Sequence, residues 1–144
     1  MKRSAELQPL SHEHFEGLHF AAELARAHAT GEPAEGWAES LAAFWANHLE
    51  PHFEAEEALV VPILDDHAPQ MAKRILNEHQ TMRNLVETIA VRPAAWENGL
   101  SSFSDVLKAH IRFEEREAFP TAEKLADAET LAHVGARLAE LHGG

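Results

Sequence analysis

Apolar residues recur at intervals of three and four along most of the chain, a spacing that predicts amphipathic helices. Alanine, leucine and glutamate dominate, β-branched residues are sparse, and the sequence contains no alternating strand pattern. The pattern therefore predicts an all-α protein. Four segments are long enough to form a bundle, and a shorter amphipathic segment follows them.

Breaker residues set the limits of these predicted helices, which fall at about 11–29, 34–62, 69–90, 100–120 and 131–141. Ser11 follows Pro9 and is a candidate N-cap of the first helix. Pro51 lies in the middle of the second, where the loss of one backbone hydrogen bond should kink or loosen the turn. The Asn98-Gly99 pair predicts a turn before the fourth.

Short linkers between the segments favour an antiparallel, up-down-up-down four-helix bundle. A chain of 144 residues is expected to form a single domain. We expect the bundle at about residues 10–120 and a C-terminal helical extension at 121–144. The extension is expected to cap the bundle or to contact another subunit.

One motif occurs twice, as His-x-x-x-Glu-Glu with a proline ten positions after the histidine. Side chains four positions apart lie on one face of a helix, so His52 should pair with Glu56 and His110 with Glu114. An imidazole nitrogen beside a carboxylate oxygen offers ligands that iron, manganese or zinc accept. The two pairs together predict a two-metal centre.

Two further histidines, His14 and His79, interrupt the apolar stripes of the first and third helices. In an antiparallel bundle, their early positions lie at the same end as the late positions of His52 and His110. The predicted ligand set is His14, His52, Glu56, His79, His110 and Glu114.

Two interpretations without a metal stay open for these six side chains. They could form a hydrogen-bonded network in the core, or the glutamates could point outward beside solvated histidines. Burying the set without partners would cost several kcal/mol, since each unsatisfied polar group costs about 1–3 kcal/mol. A pair of cations would compensate that cost.

Other polar residues near the motif have weaker assignments. His48 lies one turn before His52 and could support the site or act as an extra ligand. Glu57 and Glu115 fall off the faces of their histidines and are expected as surface charge. The remaining histidines are expected to be mostly solvated: His12, His19, His28, His67, His133 and His142.

Composition narrows the chemistry further. The chain has no cysteine, so disulfides, thiolate zinc sites and iron–sulfur clusters are excluded and a metal must be held by nitrogen and oxygen. A formal net charge of −12 argues against nucleic-acid or anionic-membrane surfaces as partners. The start of the chain lacks the apolar core of a secretory signal and no stretch reaches transmembrane length, so we expect a cytoplasmic protein.

The order His, His-x-x-x-Glu, His, His-x-x-x-Glu resembles the hemerythrin-like, or HHE cation-binding, family along nearly the whole chain. This resemblance implies a four-helix bundle with a non-haem di-iron centre and an oxo or hydroxo bridge. It implies that Glu56 and Glu114 bridge the irons and that the four histidines are terminal ligands. Manganese or zinc would suit the same donors.

The resemblance also implies a protein that binds or reacts with O2, peroxide or nitric oxide, with peroxide disproportionation as the catalytic form. Oxygen-carrying hemerythrins have a second histidine one turn after the first on the third helix, where this chain has Arg83. That departure argues against simple oxygen carriage and favours reaction at an open coordination position. Arg83 is expected to steer anions or stabilise peroxide, or else to lie on the surface.

Two other functions stay open at this point. One is a metal-sensing or oxygen-sensing module that binds a partner, and the other is iron storage or buffering without catalysis. The expected partner of the chain is a small molecule, O2, peroxide or nitric oxide, and the chain is expected to be a monomer or a homodimer.

Overall fold

The computed structural model describes residues 3–92 and 96–143, and every regular element in these ranges is helical. The helices are α1 Gln8–Ala29, α2 Ala34–Phe44, α3 Glu50–Leu59, α4 Val61–His67, α5 Pro69–Val91, α6 Trp96–Phe113, α7 Phe119–Leu125 and α8 Ala128–Gly143. Within the same ranges, two wider π-helical turns join α2 to α3 and α6 to α7, at Trp45–Leu49 and Glu114–Ala118. The all-α prediction is confirmed.

The starts of the first and fourth predicted helices differ from the prediction. Helix α1 begins at Gln8, about one turn before Ser11. Pro9 fits there, because backbone N–H groups in the first turn of a helix have no partner within the helix and proline lacks only that group. The Asn98-Gly99 pair lies inside α6 rather than in a turn. A Cβ at Gly99 would lie 2.8 Å from Cγ1 of Ile89, so glycine here permits the close approach of α5 and α6.

The π-helical turns accommodate prolines inside what would otherwise be continuous helices. Pro51 and Pro120 each follow a π turn by two residues. In a regular α-helix, a proline ring clashes with the carbonyl four residues earlier. In a π turn, each N–H bonds to the carbonyl five residues earlier, and the wider turn moves the clashing carbonyl away. The irregularity predicted at Pro51 is therefore a π turn. The predicted stop near Pro120 is wrong, because the helix resumes as α7 and ends at Leu125.

The second predicted helix also ends earlier than its sequence suggested. Helix α3 ends at Leu59, and α4 begins at Val61 with Pro62 in its first turn. The third predicted helix agrees with α5 within one residue.

Buried apolar side chains in the described residues form two clusters on either side of a polar layer. On α1 and α5 the residues of the first cluster precede the histidine and those of the second cluster follow it. The segments through α3 and α6 begin with the second cluster and end with the first. Contacts join α1 to α6 and α5 to α6, so the polar layer spans the space between these helices.

Helix α8 covers the first cluster together with the N-terminal segment. Val134 and Leu138 of α8 are buried in that cluster, and so is Leu7. A Cβ at Gly135 would lie 3.1 Å from Cγ of Glu6, which places the helix directly against the N-terminal segment. Of the two roles expected for the last helix, the structure shows capping of the same chain.

Replacing Gly99 by valine should lower the free energy of unfolding by about 1–3 kcal/mol, because the new side chain would overpack the contact with Ile89. The matched control is Gly36→Val in α2, where a Cβ would meet nothing within 4 Å. Urea unfolding at one fixed metal concentration measures both. Equal losses at the two positions, or no loss at Gly99, would contradict the close contact.

Candidate metal centre

The polar layer is made of the six side chains that the sequence selected. His14 comes from α1, His52 and Glu56 from α3, His79 from α5 and His110 from α6, and Glu114 opens the second π turn. None of the six is more than 4% exposed. Ionisable side chains are rarely buried this completely unless they are paired or bind a metal.

The six side chains form two groups that share their carboxylates. His14 and His52 meet Glu56 and Glu114 in one group, and His79 and His110 meet the same two glutamates in the other. In each group, one possible ligand atom per residue lies within 4.8 Å of all the others. The arrangement therefore offers two neighbouring cation positions with two common carboxylates between them.

Distances show that each shared carboxylate faces histidines of both groups. Oε2 of Glu56 lies 3.1 Å from Nε2 of His52, and Oε1 of Glu56 lies 3.0 Å from Nε2 of His79. Oε1 of Glu114 lies 3.0 Å from Nε2 of His14 and 3.2 Å from Nε2 of His110. The two pairs at four-residue spacing meet as the helical periodicity predicted.

Unsatisfied polar atoms test whether these residues fit a metal. In the part of the chain that the structure describes, Nε2 of His14, His52 and His110 is buried without a hydrogen-bond partner. Oε2 of Glu56 and both carboxylate oxygens of Glu114 are in the same condition. Each such atom costs about 1–3 kcal/mol. Nitrogen and oxygen donors that face one another without partners fit a pair of bound cations.

The electrostatics of the protein groups alone agree with that fit. Burial lowers the pKa of His52, but the Glu56 and Glu13 carboxylates together outweigh burial and raise the pKa to about 9. For His14 and His110, too, nearby carboxylates overcome burial and raise the pKa well above the usual value. Burial raises the pKa of Glu56, but the imidazoles, His52 foremost, bring it well below the usual range. Positive charge inside the layer is therefore strongly favoured.

The outer nitrogen of each histidine contacts a further glutamate. The four outer carboxylates and their distances from Nδ1 are Glu115 at 2.7 Å from His14, Glu13 at 2.7 Å from His52, Glu57 at 2.6 Å from His79 and Glu78 at 2.7 Å from His110. An ionised carboxylate only accepts hydrogen bonds, so Nδ1–H donates to it and Nε2 is left facing the layer.

Two of these outer carboxylates correct the expectation of plain surface charge. The side chains of Glu57 and Glu115 are only 25% and 32% exposed, and each accepts from a histidine of the layer. Burial raises the pKa of Glu115, but the contacts with His14, Ser11 and Arg3 together outweigh burial and bring the pKa to about 2. Both carboxylates point towards a neighbouring helix instead of into water, which single-helix geometry did not reveal.

Glu13 and Glu78 were missed as functional candidates, although a local signal was present. Each directly precedes a histidine of the layer, and Glu57 and Glu115 directly follow its glutamates. A residue beside a ligand on one helix is turned towards the next helix, where another ligand lies. The available signal was therefore an acidic residue directly beside four of the six side chains of the layer: His14, Glu56, His79 and Glu114.

His48 does not join the site, so both roles considered for it are wrong. Its side chain is 55% exposed, and its Nδ1 lies 3.9 Å from Oε2 of Glu16. The π turn Trp45–Leu49 inserts an extra residue between His48 and His52, which rotates His48 out of phase.

Arg83 lies beside the site without joining the six. Its Nη2 lies 3.0 Å from Oε2 of Glu57, which in turn holds His79. The arginine is therefore an ion-pair partner of an outer carboxylate, and neither a free surface cation nor a group aimed at the layer.

The histidines expected to be solvated are exposed where the structure describes them, at His12, His19, His28, His67 and His133. The side chain of His142 lies outside the described residues.

Comparison with known families agrees with the geometry. The chain matches the family model described as the hemerythrin HHE cation binding domain over residues 5–122. That match covers most of the chain, so the protein belongs to this family of metal-cation-binding domains. The curated proteins gave no match, and neither did the solved structures. No helix in the described ranges has both the length and the apolar character needed to cross a membrane.

Metal uptake at pH 7 should release protons, because the raised pKa values keep His14, His52 and His110 protonated in chelator-treated protein. The release should decrease as the starting pH approaches 9, where His52 loses its own proton. Zinc titration in weakly buffered solution with a pH indicator measures it. Zinc uptake at pH 7 without acidification would contradict the charge balance described here.

Proposed function

We propose that the chain is a non-haem di-iron protein. One iron would be held by the histidines of α1 and α3, the other by those of α5 and α6, and both would share the two carboxylates; the ligands are His14, His52, Glu56, His79, His110 and Glu114. The observation that carries the proposal is the pair of buried histidine groups that share Glu56 and Glu114. Carboxylates with an oxygen near each group are suited to bridging two cations.

The up-down-up-down order of four helices is part of the same proposal. Its support is the alternation of the two apolar clusters along the helices and the meeting of early and late histidines in one layer. Residues early in α1 and α5 could meet residues late in α3 and α6 through antiparallel neighbours.

Iron is proposed on the membership of the hemerythrin HHE family, because the donor set would suit manganese and zinc as well. The four imidazoles and two carboxylates are borderline and hard donors, which suit non-haem iron. The shared carboxylates also favour a cation pair of high total charge. Metal analysis separates the three ions.

We propose that small oxidants such as O2, peroxide or nitric oxide are the reactants. A bound iron pair would supply one-electron oxidation and reduction to them. Two imidazoles and two shared carboxylates leave room for a small ligand at each metal. Aromatic rings wall the layer, since Phe53 stacks on His79 at 4.0 Å and Phe119 on His14 at 5.3 Å between ring centroids.

The enclosure of the ligands bears on the choice between reaction and storage. Storage predicts ligands that exchange metal readily with solution. Here the shared glutamates are fully buried and the histidines are at most 4% exposed. The burial supports a tightly held pair that small molecules reach, rather than a buffer of exchangeable iron.

Protein loaded with ferrous iron without oxygen should contain two irons per chain and develop near-ultraviolet absorption of an oxo-bridged ferric pair on exposure to air. Mixing it with peroxide should evolve oxygen faster than the same amount of free iron. Elemental analysis, absorption spectra and an oxygen electrode measure these results. One iron per chain, or no bridge absorption, would contradict the di-iron proposal. Oxygen evolution no faster than that of free iron would remove disproportionation alone.

A further inference from the structure

The outer carboxylates link neighbouring helices in a closed circuit. Each accepts a hydrogen bond from a histidine on a different segment, so that α1 is joined to α3, α3 to α5, α5 to α6, and the second π turn back to α1. In that order the pairs are Glu13 with His52, Glu57 with His79, Glu78 with His110 and Glu115 with His14. The circuit surrounds the polar layer.

Arginines hold outer carboxylates in place from the solvent side. Arg83 Nη2 lies 3.0 Å from Glu57 Oε2, and Arg74 Nε donates to Glu78 Oε2 at 3.0 Å. The guanidinium and the imidazole bind the carboxylate from two sides. The ion pair with arginine therefore restricts the carboxylate to the position from which it accepts the imidazole N–H.

The N-terminal segment makes the same kind of contact at Glu115. Arg3 Nη2 donates to the Glu115 backbone carbonyl at 2.8 Å and lies 3.3 Å from its Oε1, while Ser11 Oγ donates to Oε2 at 2.7 Å. Two side chains besides His14, those of Arg3 and Ser11, therefore hold this carboxylate.

Imidazole chemistry gives these contacts a consequence for metal binding. A neutral imidazole carries its proton on one nitrogen and a lone pair on the other. A carboxylate that accepts from Nδ1–H keeps the proton there, directs the Nε2 lone pair inward and makes that nitrogen a stronger donor.

We infer that the outer carboxylates Glu13, Glu57, Glu78 and Glu115 are positioning residues that preorganise the four histidines for metal binding. The inference rests on the proposed metal centre and assigns a role to residues outside its ligand set. Incidental surface pairing does not explain the geometry. The same contact occurs at four positions, at 2.6–2.7 Å, from side chains only 24–32% exposed.

The test compares Glu57→Ala and Glu57→Gln with Glu54→Ala, an exposed glutamate on the same helix. Competition with a chelator measures zinc affinity. Glu57→Ala should weaken binding about 10- to 100-fold, the usual effect of losing such a partner. Glu57→Gln should lose less, because an amide oxygen still accepts a hydrogen bond, and Glu54→Ala should match the wild type.

Nuclear magnetic resonance of the zinc-loaded protein gives a second readout that general loosening would not produce. Zinc is diamagnetic, and each imidazole Nδ1–H that is held by a carboxylate should give a slowly exchanging proton signal. Glu57→Ala should remove only the His79 signal, and Glu57→Gln should restore it. Glu78→Ala should remove only that of His110.

The outcomes separate this inference from the proposed centre. Wild-type protein that binds no pair of zinc ions would overturn both. Wild-type binding with unchanged affinity in Glu57→Ala, or loss of all four imidazole signals together, would overturn the positioning role alone. If Glu57→Ala does not fold, Glu57→Gln and Glu78→Gln carry the comparison, and affinities equal to wild type in both would overturn it.

Discussion

Four imidazoles and two carboxylates buried in one layer are the constraint that the rest of this structure must satisfy. Such groups leave water only when other charges or hydrogen bonds replace it. Here several of their atoms have no hydrogen-bond partner among the described residues, and they face one another. Two apolar clusters close the layer on both sides. The helices are thus organised around a polar centre that positive charge stabilises.

The two π turns lie next to the layer and affect which side chains enter it. The first π turn accommodates Pro51 and delivers His52 to the layer while turning His48 outward. The second carries Glu114 into the layer and Glu115 towards His14. Single π turns of this kind are frequent at functional sites, because the one extra residue in the turn changes which side chains face inward. The two copies of the motif therefore differ in local geometry, because one π turn lies before His52 and the other begins at Glu114.

The six side chains of the buried layer were predictable because their placement depends on local periodicity. His52 and Glu56 are one turn apart, and single histidines interrupt otherwise apolar stripes. The outer carboxylates were not predictable in the same way, since each meets a histidine 22 to 101 residues away on another helix. The turn predicted at Asn98-Gly99 was wrong for a related reason. The glycine permits close contact with Ile89 on a neighbouring helix and does not form a turn.

The most direct test of the account is the number of metals bound by variants of the layer, measured by elemental analysis after iron loading and desalting. His52→Ala and Glu114→Ala should lose the pair, since one removes an imidazole of the layer and the other a carboxylate that both histidine groups share. His12→Ala and His133→Ala, which change exposed histidines, should keep two metals per chain. Two metals retained in His52→Ala and Glu114→Ala would contradict the account.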